Sequence, residues 1–319
     1  MATALPTPIS FSGKHEGPRL IVLGAVHGNE TCGTQAIQRI IAEFNVSNFV
    51  LQRGSVTFVP VTNVMAYELG QRCGERNLNR MLMPYTEPVA YEDHVANWLC
   101  PLLAKHDVLL DLHSFQSKGK AFVMVGPENN NGSIEPFKFA NQEKALAKIL
   151  GVTRAVDGWL KTYDSGIRRR QASTANVQNI PEQNIHFGIG TTEYMRIQGG
   201  YGVTLECGSH LDPQAPLVAR QAILNTLIHL QMIEQNGPLI KHSMESLRLY
   251  EVIDKNHDED VFSQAWQSFD PIMKNTVIGF RHYAEPVVVP EDGYIVFPDA
   301  DSRAGDEWFY LAQFNDRFV

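Results

Sequence analysis

Apolar residues follow three rhythms along this chain, and each predicts a different kind of element. Residues 20–23, 107–112 and 202–208 are short apolar runs without alternation, the pattern of strands buried on both faces of a parallel sheet. Helical spacing appears at Ile37, Ile40, Ile41 and Phe44 within 31–44, and at Val95, Trp98, Leu99, Leu102 and Leu103 within 91–105. Further strands are expected at 55–61 and 122–125, a short helical stretch from Asn63 to Leu69, and a helix over 137–150. A long helix is expected to open at Asp212-Pro213, with Asp212 as cap and Pro213 at the first helical position, and to stop at 236–238 (Asn-Gly-Pro). Beyond it only short β-like segments occur, at 246–252, 277–280, 286–289, 293–297 and 307–312. The pattern predicts an α/β domain over 1–237 and a smaller C-terminal β domain over 238–319. The polar stretch 163–183, with Arg168, Arg169 and Arg170, reads as an irregular solvated loop or rim.

The strand at 20–23 runs into Gly-Ala-Val-His-Gly-Asn-Glu, which turns directly into a helix. Open α/β sheets place ligands at that strand edge. The glycines invite a phosphate-cradle reading, but neither the Gly-Lys-Ser/Thr of a P-loop nor Gly-x-Gly-x-x-Gly is present. His27 and Glu30 instead supply an imidazole and a carboxylate from one tight turn, two thirds of the protein ligand set of a catalytic zinc. His113, where the strand at 107–112 emerges at the same edge, is the candidate third ligand, with Asp111 two residues before it on the same strand face to orient the ring. Glu206 ends another buried run, where a carboxylate is costly without a partner or a task, so it is the candidate general base. Between 70 and 83, Arg72, Arg76 and Arg80 lie with Asn77 and Asn79 in a loop leaving a strand at this edge, and they would make an anion site.

That arginine cluster stands out because the chain as a whole is acidic, with a formal net charge of -8 over 319 residues. The charge disfavours nucleic acid or an anionic membrane as partner and leaves a small-molecule substrate. Four cysteines without a Cys-x-x-Cys pair suit a reducing compartment. With no signal-peptide pattern at the N-terminus and no apolar run of membrane-spanning length, a cytoplasmic protein is expected.

Taken in order, these stretches resemble the succinylglutamate desuccinylase and aspartoacylase family, zinc amidohydrolases with a zinc carboxypeptidase-like core. Gly-Ala-Val-His27-Gly-Asn-Glu30 is similar to the first metal motif and Asp111-Leu112-His113 to the second. Asn77-Leu78-Asn79-Arg80 resembles the Asp-Leu-Asn-Arg substrate motif, with Asn77 in place of the usual Asp. Val64 stands where a proline usually follows Asn63. Leu205-Glu206-Cys207-Gly208 resembles the strand carrying the catalytic glutamate. The resemblance implies a mixed, largely parallel sheet flanked by helices. It also implies one zinc per chain on His27, Glu30 and His113, with Glu206 and Arg72 as catalytic residues. Asn79, Arg80 and Arg196 would bind the substrate's carboxylate.

The implied activity is hydrolysis of the amide of a small anionic N-acyl amino acid. Glu206 would move the proton, and Arg72 with the metal would stabilise the oxyanion. A metallocarboxypeptidase-like peptidase, an acyl-diamine deacetylase and, more remotely, a non-catalytic metal-binding module are the alternatives. The residues at 116–120 do not identify the acyl group. Homo-oligomerisation is left open, as is whether Tyr310, the 163–183 stretch or the C-terminal domain reaches the site.

Overall fold

The computed structural model describes residues 4–46, 49–173, 184–234, 239–241 and 243–318. Strand β1 (Ile9–Ser12) forms one edge of the main sheet, antiparallel to β3 (Arg53–Val59), and β2 (His15–Leu23) pairs parallel to β3 on the other side. Within β2, Leu20 and Val22 join a core containing residues of α1 (Cys32–Asn45) and α7 (Ala215–His229). Ile21 and Leu23 point the other way, into a core built with α3 (Tyr91–Leu103). All four are fully buried. Successive strand side chains alternate between faces, so helices on both sides of the sheet require the unbroken apolar run seen in the sequence.

Strand β4 (Val108–Phe115) lies parallel to β2, and β7 (Tyr201–Ser209) parallel to β4. The sheet then continues through β5 (Phe122–Met124), antiparallel to β7, and β6 (Arg154–Asp157), parallel to β5. β8 (Glu245–Asp254) pairs parallel to β6 and carries the same sheet into the C-terminal part of the chain. There β14 (Glu307–Phe314), β13 (Gly293–Val296) and β10 (Pro271–Ile272) extend it antiparallel to an eleven-stranded order, β1-β3-β2-β4-β7-β5-β6-β8-β14-β13-β10. A separate antiparallel sheet joins β9 (Val261–Phe262), β11 (Val277–Phe280) and β12 (Pro286–Val288). The remaining helices are α2 (Val64–Leu69), α4 (Ala140–Ala147), α5 (Trp159–Ser173) and α6 (Thr191–Ile197).

Two local expectations are corrected. The stretch from 163 is helical to Ser173, because its charged residues have partners: Arg168 with Asp164 one turn earlier, Arg169 with Glu251 and Arg170 with Asp254 on β8. The rest of that stretch, 174–183, lies outside the described residues. The long helix begins at Ala215, not at Pro213; the Asp212 carboxylate accepts from the Gln214 amide, and it is Pro216 that occupies the first turn. The stop expected at 236–238 also lies outside the described residues.

Candidate active site

The parallel strands β2, β4 and β7 deliver their C-terminal ends to one place. After β2 the chain turns through residues 24–31, closed by the Glu30 amide donating to the His27 carbonyl at 3.2 Å. Gly28 is required there, since a Cβ would fall 2.0 Å from the Ala66 carbonyl carbon of α2. The turn brings His27 Nδ1 to 2.8 Å from Glu30 Oε1. At the end of β4, His113 Nδ1 lies 2.9 Å from Glu30 Oε2, which also accepts from the Ser114 amide at 3.1 Å. All three side chains are buried, and their ligand atoms lie within 4.8 Å of one another.

The second nitrogen of each ring tests whether this set suits a metal. His27 Nε2 faces Asn77 Oδ1 at 3.1 Å, and His113 Nε2 lies 2.9 Å from Asp111 Oδ2. Each imidazole therefore turns Nδ1 inward and Nε2 toward an oxygen. For His27 this is a hydrogen bond of the kind that fixes the tautomer of a ligating histidine, whereas the Asp111 contact is an ion-pair distance at which His113 Nε2 makes no hydrogen bond among the described residues. Asp111 is itself oriented by the Thr191 hydroxyl. The donor set fits a divalent metal of the zinc type. Electrostatics separates the two rings. Burial, with the Arg72 cation, pushes His27 down to about 4 against the pull of Glu30. Burial opposes charge on His113 too, but Asp111 and Glu30 together raise its pKa well above the usual imidazole value.

Glu206 on β7 is the register partner of His113 on β4. Its Oε2 is buried without a hydrogen-bond partner among the described residues. Burial, with the Glu30 carboxylate nearby, pushes the carboxyl up to about 8 although the His113 and Arg72 charges pull it down. An orphaned carboxyl oxygen beside the ligand set is poised to exchange a proton with whatever occupies the cavity.

The arginine loop is held from below by a residue that the sequence did not single out. Glu92, buried at the start of α3, accepts from the Gly74, Glu75 and Arg76 amides at 2.8, 3.2 and 3.1 Å and from Asn63 Nδ2 at 2.9 Å. The loop's arginines then part company. Arg72 donates to Glu30 Oε1 at 2.9 Å with its side chain half exposed at the cavity mouth. Arg76 is not part of an anion site: its guanidinium binds Asp93 and the carbonyls of Asn77 and Arg80. Arg80 reaches the cavity, stacked over the Trp159 and Tyr163 rings with its charge centre 4.9 and 5.8 Å from their centroids. Asn79 lines the cavity and accepts from the Thr191 amide at 2.8 Å.

Arg196 differs from the expectation. Every guanidinium nitrogen is already engaged: Nε with Glu143, Nη1 with Glu135 and Glu193, and Nη2 with Glu143 and the Gly202 carbonyl. A side chain 3% exposed and surrounded by three carboxylates has no fork left for a substrate carboxylate. The sequence could not reveal this, because Glu135 and Glu143 are distant in the chain.

The cavity around these groups has a volume of about 620 Å³. Its outer wall comes from the C-terminal region, through Asp299, Asp301, Asp306, Glu307 and Tyr310. The buried Tyr310 hydroxyl makes no hydrogen bond among the described residues. No helix among the described residues is long and apolar enough to cross a membrane.

Residues 16–151 match the family model of the succinylglutamate desuccinylase/aspartoacylase catalytic domain. An N-alpha-acetyl-L-2,4-diaminobutyric acid deacetylase of Halomonas elongata is 31% identical over 119 residues, covering 35% of this chain and 32% of that protein. The chain thus matches about a third of the length of this curated relative. Among solved structures, a succinylglutamate desuccinylase/aspartoacylase from Rhodobacter sphaeroides superposes with a TM-score of 0.71 at 16% identity, over 95% of this chain and 87% of that one. A product-bound ectoine utilization protein from Ruegeria pomeroyi gives 0.69 at 18% identity, over 96% and 88%. Identities this low carry the fold alone.

Proposed function

We propose, from the match of residues 16–151 to the succinylglutamate desuccinylase/aspartoacylase catalytic domain, that this chain hydrolyses the amide bond of a small N-acyl amino acid. The observation that carries the proposal is the juxtaposition of the His27, Glu30 and His113 ligand set with the unpartnered Glu206 carboxyl on the neighbouring strand. His27, Glu30 and His113 would hold zinc, which supplies Lewis acidity and lowers the pKa of a water molecule from about 15.7 to about 7. Glu206 takes the proton of the attacking water and passes it to the amine, which leaves poorly unless protonated. Arg72, at the cavity mouth beside Glu30, places positive charge where the scissile carbonyl oxygen becomes an oxyanion. Arg80 and Asn79 bind the substrate carboxylate, while Arg196 holds the wall behind them through its three glutamates. We assign these roles to a catalytic domain over 1–237, with the β domain over 238–319 closing the cavity through Tyr310 and Glu307. A cytoplasmic location fits the unpaired cysteines.

A second reading, within the same reaction class, concerns the amine half of the substrate. The cavity wall carries Asp299, Asp301, Asp306 and Glu307, an acidic rim that favours a substrate bearing a cationic amine as well as a carboxylate. The Halomonas elongata relative is, by name, a deacetylase of such a compound, an acetylated diamino acid. The test for both readings is hydrolysis by zinc-loaded protein of acetyl and succinyl derivatives of aspartate, glutamate and 2,4-diaminobutyrate, with amine release measured. Turnover of none of them, by protein shown to hold zinc, would overturn the assignment. Turnover only of the diamino compound selects the second reading.

A further inference from the structure

Among the described residues, two groups bring two imidazoles and a carboxylate to one point. One is the buried set at the strand ends; the other is His257, Glu259 and His282, at the surface of the C-terminal region. The second group is assembled from two loops, one following β8 and one joining β11 to β12. A single buried carboxylate ties them together. Asp260 accepts through Oδ2 from the Asn256 and His257 amides, at 2.8 and 3.2 Å, and from Arg281 Nη1 at 2.8 Å. Its Oδ1 accepts from the His282 amide at 2.9 Å. Both histidine backbones are therefore anchored on one side chain, so the spacing of the two residues is built into the fold. The rings stack with centroids 4.0 Å apart.

The ring nitrogens point to what the group could hold. His257 Nδ1 accepts a 3.1 Å hydrogen bond from the Glu259 amide, so this nitrogen is unprotonated, and a metal bound there would take the place of that hydrogen bond. His282 Nδ1 is withdrawn from solvent and makes no hydrogen bond among the described residues, although a Glu259 carboxylate oxygen lies against it. The His282 nitrogen, a second imidazole and a carboxylate lie within 4.8 Å of one another with open solvent beside them, and because imidazole ligates in its ring plane, a shared metal would turn the two rings out of their stack. That arrangement offers three protein ligands and leaves room for water. Imidazole with carboxylate suits zinc, nickel or copper, whereas magnesium and calcium select all-oxygen sets. An ion pair between a protonated His282 and Glu259 is the competing account, and at a surface such a pair contributes little.

We propose that His257, Glu259 and His282 form a second site for a divalent transition metal, separate from the set at the strand ends and independent of the reaction assigned to it. The site sits behind the cavity rim: the Ala304 amide donates to Asp258 Oδ1 at 2.9 Å, and the Gly305 amide to the Lys255 carbonyl at 2.7 Å.

The test is titration of chelator-stripped full-length protein with zinc alone, read by competition with a chromophoric chelator. Wild type binds two equivalents of different affinity. His257→Ala and His282→Ala each weaken the weaker class at least tenfold and keep the tighter one, whereas His27→Ala loses the tighter class and keeps the weaker. A single equivalent in wild type, or surface-histidine variants that titrate like wild type, overturns the proposal. A measurement on unmutated protein guards against misfolded variants: zinc shields His257 and His282 from diethyl pyrocarbonate, read by mass spectrometry. Equal modification with and without zinc overturns the site whatever the variants do.

Discussion

The side-chain oxygen of Asn77 lies 3.1 Å from His27 Nε2, on the opposite side of the ring from Glu30. It stands behind His27 as Asp111 stands behind His113, although the Asp111 contact is an ion pair at 2.9 Å without a hydrogen bond. The difference is charge, since an amide oxygen accepts the imidazole proton without stabilising a cation. This chain carries Asn where the motif it resembles usually has Asp, and the amide oxygen still reaches the ring. It also helps to explain why the two buried imidazoles are shifted in opposite directions, His27 down and His113 up.

Removing the Asn77 oxygen frees the His27 ring to rotate. Asn77→Leu is expected to weaken zinc binding by roughly 10–100-fold, the usual cost of losing an outer partner of a ligating histidine. Asn77→Asp keeps the acceptor and should bind zinc at least as tightly as wild type. Chelator competition measures both, and an unchanged affinity in Asn77→Leu would show that the ring is held by something else.

The arginines separate by partner. Arg80→Lys retains charge near Glu307 but loses the planar stack on Trp159 and the fork proposed to bind the substrate carboxylate, so KM should rise with kcat little changed. Arg196→Met instead strands Glu135, Glu143 and Glu193. Breaking such a buried cluster costs on the order of 3–5 kcal/mol. Urea unfolding should register that loss, with KM of the folded fraction near the wild-type value. A large KM effect in Arg196→Met without loss of stability would return this residue to the substrate.

What could be read from the sequence was what local pattern determines. The apolar runs at 20–23, 107–112 and 202–208 became β2, β4 and β7 because each is buried on both faces; His27 follows β2, and His113 and Glu206 lie near the C-terminal ends of β4 and β7. Features that depend on distant partners were hidden. The Arg168–Arg170 run looked solvated until β8 supplied Glu251 and Asp254. Glu92 looked like one more acid in the first turn of an amphipathic helix, yet it holds the 74–76 amides that aim Arg72 and Asn77. Arg196 occupied the right place in the order of motifs, but its neighbours could not be inferred from that order.

Glu135 supplies a pH dependence. Burial, with the Glu193 and Glu143 charges, raises its carboxyl to about 7 against the attraction of Arg196. Between the unfolded value near 4.5 and about 7, the folded chain keeps a proton that the unfolded chain has lost. Stability contributed by this group therefore falls as pH rises through that window and levels off above it. Glu135→Gln keeps an oxygen for Arg196 and has no proton to lose. Its stability relative to wild type should improve by roughly 1–3 kcal/mol between pH 5 and pH 8. Urea unfolding at the two pH values checks this, and a constant difference would mean that Glu135 does not titrate in the window.

Glu206 and His113 occupy partner positions on adjacent parallel strands, so their side chains leave the same face of the sheet side by side. A carboxylate placed there for structure would be expected to pair with an arginine or accept backbone amides, as Glu92 and Glu143 do. Glu206 Oε2 has no such partner among the described residues. Glu206→Gln preserves shape and hydrogen-bonding reach but cannot accept the water proton. Turnover should fall at least ~100-fold while zinc content, folding and KM stay close to wild type. If the carboxylate only balanced charge around the ligand set, the amide would lower zinc affinity instead, and excess zinc would restore the rate. Turnover that recovers with added zinc would make Glu206 an electrostatic support, whereas a rate that stays low at full occupancy is the result expected of a proton carrier.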